Sequence, residues 1–122
     1  MNNAPVSRAE RVGAEIAHAL ASAIERECSD PRLYLVTITG VRMSPDLKYA
    51  QVNVSSVNPD ADGAIVITAL VHAASRLRRS LAKAVRLRVV PRLDFRWDNS
   101  GERRQHLEAL IVRGLPRGGD GT

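Results

Sequence analysis

Aromatic residues are nearly missing from this chain. Of its 122 residues only Tyr34, Tyr49, Phe95 and Trp97 carry aromatic rings. A core must therefore be built from Val, Leu, Ile and Ala, and the paired aromatics of a base-stacking sheet are absent. The single cysteine, Cys28, excludes an internal disulfide and fits a reducing compartment. No stretch approaches the ~20 apolar residues that cross a bilayer. No apolar run follows the first basic residues, as it would in a secretory leader. A cytoplasmic protein with no membrane contact is expected.

Chemistry-bearing clusters are missing as well. His18, His72 and His106 are scattered, with no metal-ligand spacing. Nothing near Cys28 forms a nucleophile–base pair. Gly63 is isolated, so no glycine-rich phosphate loop precedes a helix. No catalytic residue, metal or cofactor is expected.

What the chain does have is localised charge. The formal net charge is +5. Residues 1–57 hold six basic and six acidic residues, and residues 98–122 hold four of each. Between them, residues 72–97 carry Arg76, Arg78, Arg79, Lys83, Arg86, Arg88, Arg92 and Arg96 against Asp94 alone. Eight of 18 basic residues thus fall within 21 positions. A local positive field of this kind attracts phosphate polymers. The plain alternative is a solvated face in an arginine-rich chain, but a general bias does not explain the clustering.

The length suits one domain able to bury a core without staples. Residues 1–6 read as a disordered lead-in, 7–113 as the domain and 114–122 as a flexible tail. Ser7-Arg8-Ala9-Glu10 has the spacing of a capping box and opens a helix to about Glu27. Val12, Ile16, Leu20 and Ile24 line one face of it. Asp30-Pro31 breaks the helix. Leu35 to Met43 reads as a strand with a bulge or bend at Gly40, where the apolar phase changes. Ser44-Pro45-Asp46 turns the chain into a second strand, Lys48 to Ser56, in an antiparallel hairpin. Ala50, Val52 and Val54 face its core side.

A long helical pattern then runs from about Ala64 to Leu87, with Val66, Leu70, Ala74, Leu77, Leu81 and Val85 in one stripe. Unbroken, it would be about 36 Å long, about the width of a domain of this length. A kink at Ser75, whose hydroxyl can cap a second half, is expected; one continuous helix is the alternative. Pro91 to Trp97 reads as a third strand with Leu93, Phe95 and Trp97 inward. Ser100 caps a last helix, whose core side is Leu107, Leu110 and Ile111. The order is α-β-β-α-α-β with a terminal helix, a two-layer α+β domain with helices on one face of a three-stranded sheet.

Arg76, Arg79, Lys83 and Arg86 are spaced three, four and three, which sets four cations on one helical face beside the leucine stripe. Such a face contacts phosphates and releases counterions, so binding is salt-sensitive. Arginine suits bidentate phosphate contacts. RNA recognition by shape and backbone is expected. A rival is a protein-interaction module that docks on an acidic partner, since carboxylates suit arginine equally.

Several runs resemble the bacterial ribosome-binding factor A family. They are Leu77-Arg78 through Lys83-Ala84-Val85-Arg86-Leu87-Arg88-Val89-Val90-Pro91-Arg92-Leu93-Asp94-Phe95, then Asp98-Asn99-Ser100. Asp30-Pro31-Arg32-Leu33, Val36-Thr37-Ile38-Thr39-Gly40-Val41 and Ser44-Pro45-Asp46-Leu47-Lys48-Tyr49-Ala50 also match, as does Arg8 to Ile16. The resemblance covers roughly residues 7–112. It implies a type II KH-like αββααβ fold with a three-stranded mixed sheet. It also implies an interhelical Ala-x-Gly kink in place of the Gly-x-x-Gly loop, here Ala73-Ala74-Ser75 with serine in the glycine position. The implied partners are the free 30S ribosomal subunit and its 16S rRNA, near the decoding region. The implied role is late maturation and rRNA 5′-end processing, with support of growth after cold shock. Arg76, Arg78, Arg79, Lys83, Arg86, Arg88 and Arg92 are the expected RNA-binding residues, on a chain that is monomeric when free.

Overall fold

The computed structural model describes residues 7–99. The lead-in at 1–6, the helix expected after Ser100 and the tail at 114–122 lie outside the described residues. Helix α1 spans Arg8–Glu27. Its capping box is formed: the Glu10 N–H donates to Ser7 Oγ at 3.1 Å, and the Ser7 N–H donates to Glu10 Oε1 at 3.0 Å. These bonds satisfy donors that the first helical turn otherwise leaves unpaired. Val12, Ile16, Leu20 and Ile24 are all buried, as their four-residue spacing predicts.

The break at Asp30-Pro31 is more structured than the sequence suggested. Pro31–Leu33 forms a short 3₁₀ turn capped by the Asp30 carboxylate. Strand β1 (Val36–Met43) then pairs antiparallel with β2 (Tyr49–Ser56). Ile38 opposes Val54 and Gly40 opposes Asn53, so Thr39 is the extra residue of a bulge. That bulge is what keeps Val36 and Ile38 on the same side as Val41 and Met43 despite the change of phase.

A single helix, α2, runs from Gly63 to Ala84. The break expected at Ser75 is not formed. Ala73 and Ala74 are strong helix formers, Ser75 is exposed, and no glycine offers the chain another conformation. The helix also ends three residues before the expected Leu87. Val85 is extended and caps the helix with its N–H on the Leu81 carbonyl. Val85 is nevertheless buried. The apolar stripe thus continues one step past the helix, which is why periodicity overran the end.

As the crossover, α2 delivers the chain to β3 (Arg92–Trp97), which lies parallel to β2. The sheet order is β1-β2-β3, mixed as expected. Ile16 and Leu20 of α1, Leu70, Leu77 and Leu81 of α2, and Val52 and Val54 of β2 are fully buried between the helices and the sheet. Phe95 is buried and Trp97 half-buried, so both serve packing rather than stacking on bases. Two glycines allow close approach. A Cβ on Gly13 would stand 2.8 Å from the Val41 carbonyl oxygen, where α1 meets β1. One on Gly63 would stand 2.6 Å from the Trp97 indole.

Candidate nucleic-acid interface

All seven expected RNA-binding residues are exposed, but the fold distributes them over three places. Arg76, Arg78, Arg79 and Lys83 lie on α2. Arg86 and Arg88 lie in the connection after it, and Arg92 begins β3. The four-cation helical face is therefore reduced to three, because the helix stops before Arg86. At about 100° per residue, Arg76, Arg79 and Lys83 fall within an arc of about 60°. Arg78 lies on the far flank of the buried leucines, about 160° from Arg76.

The two flanks are held differently. Arg76 donates from Nη1 to the Glu27 carbonyl oxygen at 3.1 Å, at the end of α1, where unpaired carbonyls favour a cation. Beside it, the mostly buried Ser80 hydroxyl donates to the Glu27 carboxylate. That bond, with the nearby charges of Arg26 and Lys83, holds the Glu27 carboxyl below its usual range. The cation stripe thus sits at the α1–α2 junction. Arg78 instead donates to the Val90 and Pro91 carbonyls, so its guanidinium fastens the connection into β3. Among the described residues, Arg79, Lys83, Arg86, Arg88 and Arg92 have no hydrogen-bonded or ion-paired partner for their side chains.

Arg92 faces the other way. Along β3, Leu93, Phe95 and Trp97 are the more buried positions, and Arg92, Asp94 and Arg96 are exposed. The register sets Arg92 beside Tyr49, and Arg96 beside Asn53, on the sheet face opposite the helices. Arg42, beside Gln51, shares that face. Sequence reasoning passed over Arg42, although its alternation with the inward Val41 and Met43 is the signal that places it. Arg96 is partnered by Asp94 at 2.8 Å.

Two recesses lie near the end of α1. A cleft of about 340 Å³ is lined by Cys28, Asp30, His72 and Arg76, so it adjoins the cation stripe. Burial pushes the Cys28 thiol up, against the opposing pull of Arg76. A larger groove lies between α1 and β1. Among the described residues no group of three His, Cys, Asp or Glu side chains could hold a metal ion, and no helix is long and apolar enough to cross a membrane.

The mixed three-stranded sheet with both helices on one face is an α+β domain of the KH-like kind, with the single helix α2 standing where the expected αββααβ order has two. The family model described as Ribosome-binding factor A matches residues 8–111. The chain belongs to the ribosome-binding factor A family. It is 41% identical over 115 residues to the ribosome-binding factor A of Nitrosococcus oceani, covering 94% of this chain and 91% of that one. It is 43% identical over 115 residues to that of Pseudomonas aeruginosa, covering 93% and 89%. The crystal structure of ribosome-binding factor A from Thermus thermophilus superposes with a TM-score of 0.66 at 34% identity, covering 74% of this chain and 96% of that one. A homology model of the Thermus thermophilus factor, fitted into a cryo-EM map of its complex with the 30S subunit, superposes with a TM-score of 0.62 at 36% identity over 75% and 96%.

Proposed function

We propose that this protein binds the free small (30S) ribosomal subunit in the cytoplasm and assists late maturation of 16S rRNA, including processing of its 5′ end, without catalysis. The observation that carries the reading is the exposed stripe of Arg76, Arg79 and Lys83 on one flank of α2. The stripe is braced against α1 through the Glu27 carbonyl and carboxylate. A rigid helix with cations at fixed spacing recognises the phosphate geometry of folded RNA without reading bases. Family membership supplies the class of partner, since the related Thermus thermophilus factor is described in a 30S complex. The protein acts as a monomer that holds rRNA in one arrangement and is then released, which requires affinity and no bond chemistry.

Co-sedimentation with purified 30S subunits across a salt series tests this. The full chain carrying Arg76→Ala, Arg79→Ala and Lys83→Ala together, with its fold verified by circular dichroism, is expected to lose affinity and salt dependence. Undiminished affinity in that variant would refute the role of the stripe. Retention on an acidic protein but not on 30S subunits would favour a protein partner.

A further inference from the structure

The line of Arg76, Arg79 and Lys83 continues one turn toward the start of α2, where it meets His72. At about 100° per residue, His72 lies about 40° from Arg76 and about 20° from Lys83 around the helix axis. His72 is exposed, and with Arg76 it lines the smaller cleft at the end of α1. That cleft is on the α1 side of α2, away from the flank that Arg78 fastens to Val90 and Pro91. Stripe and cleft therefore form one continuous surface, and the stripe runs into the cleft.

The cleft has the make-up of a small-ligand site, with apolar walls and a few polar groups. Its volume of about 340 Å³ lies at the small end of the range for such sites, about 300–1,000 Å³. Leu33 from the 3₁₀ turn and Ala69 and Ala73 from α2 line it and are buried. Pro31 and His72 line it too and are exposed, so a ring borders it from the turn and another from α2. A planar base fits between two such rings, and stacking on an imidazole is one of the ways in which proteins hold an unpaired base. Arg76 uses one guanidinium donor on the Glu27 carbonyl and has four more for a phosphate. The Asp30 carboxylate also lines the cleft, but it is ion-paired with Arg32 at 2.6 Å, which offsets its repulsion of a phosphate.

We infer that the cleft seats one unpaired nucleotide of an RNA strand whose backbone follows the stripe. The base enters between Pro31 and His72, and its phosphate meets Arg76. The base is held by stacking and no base edge is read, so the seat tolerates any sequence. The inference rests on the RNA-binding function proposed above and adds to it a single-stranded nucleotide beside the α1–α2 junction.

Fluorescence anisotropy of the full chain at one salt concentration tests this with two labelled probes. One is an oligouridylate of about ten nucleotides, within the usual site size for single strands, and the other is an RNA duplex of the same length. His72→Ala should weaken binding of the single strand at least about fivefold, the cost of one lost stacking contact, and leave the duplex unaffected. His72→Phe keeps a flat ring and should restore the single-strand affinity. His72 is exposed, so both variants should keep the fold, which circular dichroism verifies. Cys28 lines the cleft and gives a second readout. Saturating oligouridylate should slow its alkylation by iodoacetamide at least about fivefold, because a thiol reacts as it is exposed, and the duplex should not. An equal loss on both probes in His72→Ala, no loss on either, or an unprotected Cys28 would overturn the seat and leave the stripe standing. Failure of the unsubstituted protein to bind either probe would overturn the RNA reading itself, and the seat with it.

Discussion

The Arg78 guanidinium reaches the carbonyl oxygens of both Pro91, at 3.2 Å, and Val90, at 3.1 Å. It thereby fastens α2 to the chain immediately before β3. Arg92, the next residue, donates its N–H to the Lys48 carbonyl. Arg78 thus helps set where the parallel strand starts.

Its neighbour Arg79 differs in position by one residue and in role completely. Arg78→Ala is expected to lower unfolding stability by about 1 kcal/mol, the net worth of hydrogen bonds of this kind at a wet surface. Arg79→Ala is expected to stay within about 0.5 kcal/mol of the parent. Urea unfolding followed by circular dichroism reads both. Equal effects would show that the carbonyl contacts contribute nothing.

The stripe of Arg76, Arg79 and Lys83 makes a quantitative prediction for binding. Each cation that neutralises a phosphate contributes about 0.9 to the slope of log affinity against log salt for a duplex. The triple alanine variant should therefore lose about two to three units of slope in 30S co-sedimentation. Arg92→Ala, on the opposite face of the sheet, should leave the slope unchanged. A loss at Arg92 equal to that at Arg79 would mean that RNA wraps both faces.

Close approach at Gly13 has the opposite sign from what helix propensity predicts. Alanine in a helix interior is normally favoured over glycine by roughly 0.5–1 kcal/mol. Here the new Cβ would meet the Val41 carbonyl oxygen at 2.8 Å, and a backbone atom of a paired strand cannot swing aside. Gly13→Ala should destabilise by about 1–3 kcal/mol, as overpacking does. Gly40→Ala provides the contrast. Its Cβ would have nothing within 4 Å, so its unfolding midpoint should stay near the parent value.

These contrasts also explain what the sequence made legible. The capping box at Ser7 and Glu10, the bulge at Gly40 and the alternation of Ala50, Val52 and Val54 are local patterns. Each is set by residues within a few positions, and each formed as read, with the bulge's extra residue at Thr39, next to Gly40. The end of α2 was misplaced because Val85 continues the apolar stripe, while the signal that stops the helix is non-local: Arg78 holds carbonyls thirteen residues ahead. The expected break at Ser75 failed for a related reason. Serine can cap a helix, but between Ala74 and the anchored Arg76 it has no reason to interrupt one. The Ser80–Glu27 contact, 53 residues apart, left no trace in any window of sequence. The cation cluster was visible as composition. Only the fold separated Arg79 and Lys83 from Arg78, which is engaged, and from Arg92, which faces away.

Acid should loosen the turn between α1 and β1 through Asp30. Its carboxylate accepts hydrogen bonds from the Arg32 side chain, with Nη2 at 2.6 Å and Nε at 3.0 Å, and from the Arg32 N–H at 2.9 Å. These bonds, side chain first and backbone second, lower its pKa from 3.8 to about 2. A carboxyl lowered in the folded state binds its proton more weakly there than in the unfolded chain. Its contribution to stability is therefore fully present above about pH 4 and is lost as pH falls toward 2. Asp30→Asn retains a side-chain oxygen to cap the 3₁₀ turn but carries no charge for Arg32. The variant should melt below the parent at neutral pH, and the gap should close between pH 4 and pH 2. Thermal melts of both proteins across that range measure the gap, and NMR titration of the Asp30 carboxyl locates its pKa directly. A gap that stays constant down to pH 2 would assign the effect to cap geometry rather than to charge.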